Sequence, residues 1–132
     1  MKNFIGKQFF HIEKNEDLTE MLLYCNDRNI YKMYHEQDCC ESVNIEDIEG
    51  DLNDLLNTDI LNAELVTNSE ENTEKYESVT WSFYKFATIK GYVTIRWIGT
   101  SNGYYSEVVS IKKIKNSKNL WRDKRLEKLG IE

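Results

Sequence analysis

Hydrophobic positions recur along this chain with two different periods, and the clearer of them is the period of two. Aromatic and β-branched residues dominate Val79 to Ile89, Tyr92 to Ile98 and Tyr104 to Ile114, with Lys90-Gly91 and Ser101-Asn102-Gly103 as the breaks between them. That pattern predicts an antiparallel three-strand meander. A two-residue turn at 90 and 91 sets Phe86 opposite Ile95 and Tyr84 opposite Trp97, and a loop at 101–103 sets Val109 opposite Ile95 and Ile111 opposite Val93. One face then gathers Tyr84, Phe86, Val93, Ile95, Trp97, Val109 and Ile111. The other carries Trp81, Phe83, Ala87, Ile89 and Ile98 beside Lys85, Tyr92, Thr94 and Arg96, so it is only half polar and calls for a partial cover.

Shorter β-rich runs open the chain: Ile5 to Ile12, Met21 to Cys25 and Ile30 to Tyr34, separated by Asn15-Glu16-Asp17 and Asn26-Asp27-Arg28-Asn29. These separators are turn chemistry, and they predict a second meander. The helical period appears from Asn44 to Leu56, where Ile45, Ile48, Leu52, Leu55 and Leu56 recur at threes and fours among acidic residues. Gly50 interrupts that pattern, so a short acidic helix is expected from about Asp51. Ile60 to Val66 reads as a strand, and the polar stretch Thr67 to Glu77 as a mobile loop. Ser117 to Gly130 reads as a basic helix with Ser117 at its N-cap and Gly130 as its stop. The expected fold is one α+β domain over 1–114, an antiparallel sheet of about six strands with a short central acidic helix, followed by a C-terminal basic helical extension over 115–132.

With 132 residues and 40% hydrophobic content the chain can bury one core. No apolar run approaches the roughly 18 residues that span a bilayer, and Met1 to Lys7 lacks the apolar centre of a signal peptide, so no membrane partner is expected. Three cysteines, two of them adjacent, build no disulfide framework, which points to a reducing cytoplasm. The net charge of -6 hides a division: residues 36 to 77 hold one basic and fourteen acidic side chains, and residues 78 to 132 hold eleven and four. An acidic middle and a basic end are therefore separate poles.

Few residues offer chemistry. His35-x-x-x-Cys39-Cys40 could bind a metal only if Cys25 or His11 completed the set, because a tetrahedral site needs four ligands. The plainer reading makes Cys39 or Cys40 a small buried apolar residue and His35 a hydrogen-bonding partner at a strand end. Acidic neighbours at 36, 38 and 41 would raise a thiol pKa and so oppose a reactive cysteine. Phosphate-binding glycine loops and the G-x-S-x-G elbow are absent from the sequence, and neither a catalytic residue nor a cofactor is expected. Arg96, Tyr104 and Tyr105 could line a nucleotide pocket, which would make the protein a sponge for a second messenger. The carboxylates of Glu36, Asp38, Glu41, Glu46, Asp47, Glu49, Asp51 and Asp54 could stand in for nucleic-acid phosphates in the groove of a partner, with Arg122, Lys124 and Arg125 as the opposite pole. The acidic total argues against direct nucleic-acid binding.

The segments Tyr34-His35-Glu36-Gln37-Asp38-Cys39-Cys40-Glu41, Thr94-Ile95-Arg96-Trp97 and Ser101-Asn102-Gly103-Tyr104-Tyr105-Ser106-Glu107 carry a resemblance over roughly residues 3 to 112. They resemble a family of small uncharacterised phage and prophage proteins, and the chain after Ile114 looks like an extension beyond that family's end. The family brings no assigned chemistry. The setting it implies is counter-defence: a stoichiometric inhibitor, of the anti-CRISPR kind, of a nucleic-acid-binding host effector. A metal-dependent enzyme at His35, Cys39 and Cys40 is the reading from another class.

Overall fold

The computed structural model describes residues 1–72 and 77–131. Its first meander forms from β1 (Phe9–Lys14), β2 (Glu20–Cys25) and β3 (Ile30–Tyr34), with the first strand beginning at Phe9 rather than at Ile5. Each turn is closed by a side chain that replaces a backbone acceptor. Asn15 Oδ1 accepts from the N–H groups of Thr19 (2.9 Å) and Glu20 (3.0 Å), and Asp27 Oδ1 accepts from Asn29 N–H at 3.0 Å. Six further elements follow: β4 (Ser42–Glu49), β5 (Asn62–Asn72), β6 (Glu77–Thr88), β7 (Gly91–Ser101), β8 (Ser110–Lys113) and the helix α1 (Lys118–Lys128). Two four-stranded antiparallel sheets result, in the orders β1-β2-β3-β8 and β4-β7-β6-β5.

The inner faces of the two sheets share one core. Phe9, Met21, Leu23, Tyr31 and Met33 from the first meet Val43, Ile45, Tyr84, Phe86, Val93, Ile95 and Trp97 from the second. Trp97 is fully buried, and its indole N–H donates to Met33 Sδ at 3.1 Å across the layers. The apolar face expected between 79 and 114 is thus the core face, although its register differs. The turn falls at Ile89-Lys90 and not at 90-91, which pairs Phe86 with Val93 and Tyr84 with Ile95. Moving the turn centre by one residue moves the register by two, and a shift of two keeps every side chain on its own face.

Two expectations fail for reasons of strand geometry. The third strand of the predicted meander does not pair with β7. Only Ser110–Lys113 is extended, and it joins β3 in the other sheet, pairing Ile111 with Met33. Its place beside β7 is taken by β4, the segment that carries the helical period. A β-bulge between Ile45 and Asp47 inserts one residue, so Ile45 and Ile48 both face inward at a spacing of three. A bulged strand therefore imitates a helix in sequence, and the central acidic helix does not exist. Only a single 3-10 turn, Leu52–Leu55, follows Gly50, with Asp51 Oδ1 accepting from Asn53 N–H at 2.9 Å. Gly50 has φ +94°, and a Cβ there would collide with the carbonyl oxygen of Tyr92.

The loop expected over Thr67 to Glu77 is also corrected: Asn62–Asn72 is one continuous edge strand and Glu77 begins β6, while residues 73–76 lie outside the described residues. Its polar composition reflects an edge exposed to water. α1 forms as expected and docks. Trp121 Nε1 donates to Cys25 O at 2.6 Å, the indole meets Phe10 edge to face at 5.6 Å, and the Arg125 guanidinium lies 4.6 Å over the Phe10 ring. The helix thereby covers Phe10, Tyr24 and Ile30 on the outer face of the first sheet. Trp121→Ala is expected to lower unfolding free energy in urea by about 2 kcal/mol, below the full range for a core Trp because the indole is half-buried. Leu126→Ala, on the solvent side, is expected to change it by less than about 0.5 kcal/mol.

Candidate functional site

The cover supplied by α1 lies on one sheet only. Across the outer face of the other, the register aligns Val66, Phe83, Arg96 and Asp47 in one row, Asn68, Trp81, Ile98 and Asn44 in the next, and Glu64, Lys85, Thr94 and Glu49 in a third. Trp81, Phe83 and Ile98 are half-buried by their strand neighbours alone, and Tyr92 stands 82% exposed. The half-apolar face that the sequence shows is real, and among the described residues the one α-helix packs against the opposite sheet.

Carboxylates border this face on both edge strands. Glu46, Asp47 and Glu49 lie along β4, and Glu64 and Glu70 along β5. Asp47 and Glu49 stand two residues apart, about 7 Å along a strand. Arg96 in the middle bonds Glu46 Oε1 at 3.0 Å and approaches Asp47 Oδ2 at 3.8 Å, while its shielded Nε has no acceptor. The result is an aromatic centre, one tethered guanidinium and an acidic rim, which is the anatomy of a protein-binding patch with an apolar middle and a charged border.

The structure divides the acidic set read from the sequence. Glu46, Asp47 and Glu49 come together on this face, with Asp51 just beyond Gly50. Glu36 and Asp38 are exposed in the loop before β4, at the far end of a strand of eight residues, about 26 Å long. Asp54 is half-buried, and Glu41 is not on the surface at all. The basic set lies over the other sheet: Arg122 is exposed near Asp123, Lys124 pairs with Glu127 at 3.1 Å and Arg125 lies on Phe10. Sequence reasoning missed Glu64 and Glu70 as rim residues because it placed the strand end at Val66. The alternation Glu64, Val66, Asn68, Glu70 was the available signal.

Glu41 organises the loop between β3 and β4. Its Oε1 accepts from Cys39 N–H at 2.8 Å and Gln37 Nε2 at 2.9 Å, and its Oε2 from His35 Nε2 at 2.9 Å and Asp38 N–H at 3.2 Å. Burial pushes this carboxyl up, but His35 and the backbone N–H groups outweigh it and hold the group at about 2. The other His35 nitrogen, Nδ1, faces Val108 O at 2.7 Å. Both ring nitrogens thus face oxygen atoms, one of a carboxylate and one of a backbone carbonyl. His35 is the strand-end hydrogen-bonding partner that the plainer reading expected. The cysteines depart from it: Cys39 and Cys40 are exposed and bonded to each other, and Cys25 is the buried one. With the sulfurs joined and both His35 nitrogens engaged, these three residues do not present a ligand set, and among the described residues no group of three metal-ligating side chains gathers. A shallow cleft of about 510 Å³ lies alongside, lined in part by His35, Asp38, Glu41, Ser106 and Val108.

Asp27 is a second carboxylate of this kind. Burial raises its pKa, but Tyr31 (2.5 Å), Lys7 (3.0 Å) and Asn29 bring it to about 2. Both groups are depressed below ordinary carboxylate values of roughly 4. Their contribution to stability is therefore complete above about pH 4.5 and is lost as the pH falls toward 2. Equilibrium unfolding between pH 7 and pH 2 is expected to show stability falling only in that acidic window, with a smaller fall in Glu41→Gln.

The nucleotide-pocket residues are not brought together. Arg96 sits five residues, about 16 Å of strand, before Ser101, on a different surface from the loop that holds Tyr104 and Tyr105. Those two rings stack edge to face at 5.1 Å with Tyr104 84% exposed. The loop itself is closed by Glu107, buried and bonded to Ser101, to Thr80 Oγ1 at 2.7 Å and to Ser78 at 3.2 Å.

Fold and site together define a two-sheet antiparallel β protein with a C-terminal helix and an acid-rimmed sheet face that no helix covers among the described residues. The chain belongs to the family described as Domain of unknown function (DUF7448), whose model matches residues 2–111. No curated protein and no solved structure matches it. Among the described residues, no helix is long and apolar enough to cross a membrane.

Proposed function

We propose that the protein is a stoichiometric inhibitory binder, a phage-encoded counter-defence protein of the anti-CRISPR kind, which occupies the nucleic-acid groove of a host effector with its acidic sheet face. In this reading it works in the host cytoplasm, uses no cofactor and catalyses nothing. The supporting observation is the uncovered face itself: Trp81, Phe83 and Ile98 between the carboxylates of Asp47 and Glu49 on one edge and Glu64 and Glu70 on the other. A groove built for nucleic acid offers basic side chains to phosphates and flat apolar surfaces to bases, and this face answers both.

The sequence suggests a contact held largely by charge, with Ile45, Ile48, Leu52 and Leu55 expected in the core; Ile45 and Leu55 do turn into it, and Ile48 and Leu52 pack against it. The aromatic centre changes that expectation. Association should slow steeply with salt, because the rim steers encounter, while dissociation changes much less, because the centre is apolar. Titrating the protein into cleavage assays of purified RNA-guided nucleases and other DNA-binding defence effectors tests the proposal. Inhibition should saturate near one equivalent for one of them. Inhibition that instead turned over at catalytic amounts would refute stoichiometric binding.

A further inference from the structure

We propose that Cys39 and Cys40 form a two-electron thiol–disulfide exchange site, served by a dithiol reductant, that controls the order of the loop between β3 and β4. This inference is independent of the partner proposed above. Adjacent residues hold the two bonded sulfurs, and both residues are exposed to an attacking thiolate. Cys25 takes no part, since it is buried in the core, where burial pushes its thiol up to about 11.

Adjacency determines which reductant works. A thiolate that attacks one sulfur breaks the S–S bond, forms a mixed disulfide and releases the other cysteine as a thiolate, which takes up a proton. That freed thiol sits one residue away, at high effective concentration, and so re-attacks the mixed disulfide and expels a monothiol. A dithiol escapes this reversal. Its second thiolate attacks its own sulfur in the mixed disulfide, the reductant departs as a disulfide, and the second cysteine leaves as a thiolate and is protonated. Two electrons and two protons pass to the pair. Exposed Glu36 and Asp38 on the same loop further disfavour an anionic reductant such as glutathione.

The loop registers the change because the pair is wired into its anchor. Cys39 N–H donates to Glu41 at 2.8 Å, and Gln37 Nε2 bonds both Cys39 O (3.3 Å) and Glu41 O (2.8 Å). Opening the ring restores torsional freedom to Cys40 and to Cys39, whose backbone N–H helps hold the Glu41 carboxylate. Glu36 and Asp38 then lose their fixed positions.

The test uses the full chain oxidised with diamide, then treated with dithiothreitol or with glutathione at equal thiol concentration, and labelled natively with iodoacetamide. Intact mass and peptide mapping should show no label at 39 and 40 before reduction, two after dithiothreitol, and at least tenfold slower opening by glutathione. Amide exchange at Asp38 and Cys39 should accelerate at least tenfold on reduction and in the Cys39→Ser, Cys40→Ser double variant. Label at both cysteines directly after diamide, equal rates with the two reductants, or unchanged amide exchange would each overturn the assignment.

Discussion

Replacing Asp47, Glu49 and Glu64 together with lysine is expected to weaken binding to the effector at least a hundredfold, about 2.7 kcal/mol, while leaving the protein folded. Each substitution reverses one rim charge, so three charges change sign and the net charge of one face rises by six units. A contact steered by acidic groups into a basic groove then meets repulsion along both edges. All three residues are exposed, so stability should fall by no more than about 1 kcal/mol per site even though the new lysines at 47 and 64 stand opposite Arg96 and Lys85. Glu46 is left in place because it holds Arg96 at 3.0 Å. Glutamate at Arg122 and Lys118, over the other sheet, should leave affinity unchanged. Isothermal titration against the inhibited effector distinguishes the two faces, and equal losses from both would remove the sheet face from the account.

Trp97→Ala is expected to cost about 3–5 kcal/mol and leave the chain marginal or unfolded at 25 °C. Trp97 has no exposed surface, sits opposite Ile45 and Ser82 in its own sheet, and reaches Met33 in the other through its indole N–H. Truncation opens a cavity between the layers and also removes a hydrogen-bond donor that joins them. Trp81→Ala makes the contrast, one strand over and on the opposite face. Its ring is half-buried by neighbours on one sheet, so the variant should remain folded and lose affinity for the partner. Urea unfolding of the two variants, with binding measured on the folded one, separates a core tryptophan from an interface tryptophan.

The difference between those two tryptophans is legible in the sequence, because alternation between Val79 and Ile98 assigns faces whatever the register. Strand partners are not legible in the same way. Whether β7 pairs with the segment after it or with β4 depends on contacts more than forty residues apart, which local periodicity does not encode. The bulge at Ile45/Asp47 shows how one inserted residue converts a period of two into an apparent helical spacing. Thr67 to Asn72 fails as a loop for a related reason: an edge strand exposed on both faces has the composition of a loop. At the site, the acidity of the 36–54 segment is visible from composition. The burial of Glu41 is not, since a carboxylate held by two backbone N–H groups and a histidine reads in sequence like any other acidic residue.

Competition for one groove is the direct consequence of the proposed function. The inhibited effector, saturated with its nucleic acid, is mixed with an excess of the protein and resolved by size-exclusion chromatography with absorbance at 260 and 280 nm. Mutual exclusion predicts two populations, effector with nucleic acid or effector with this protein, whose ratio follows the concentrations of the competitors. A stable peak that contains effector, nucleic acid and protein together would contradict occupation of the groove, even with inhibition intact.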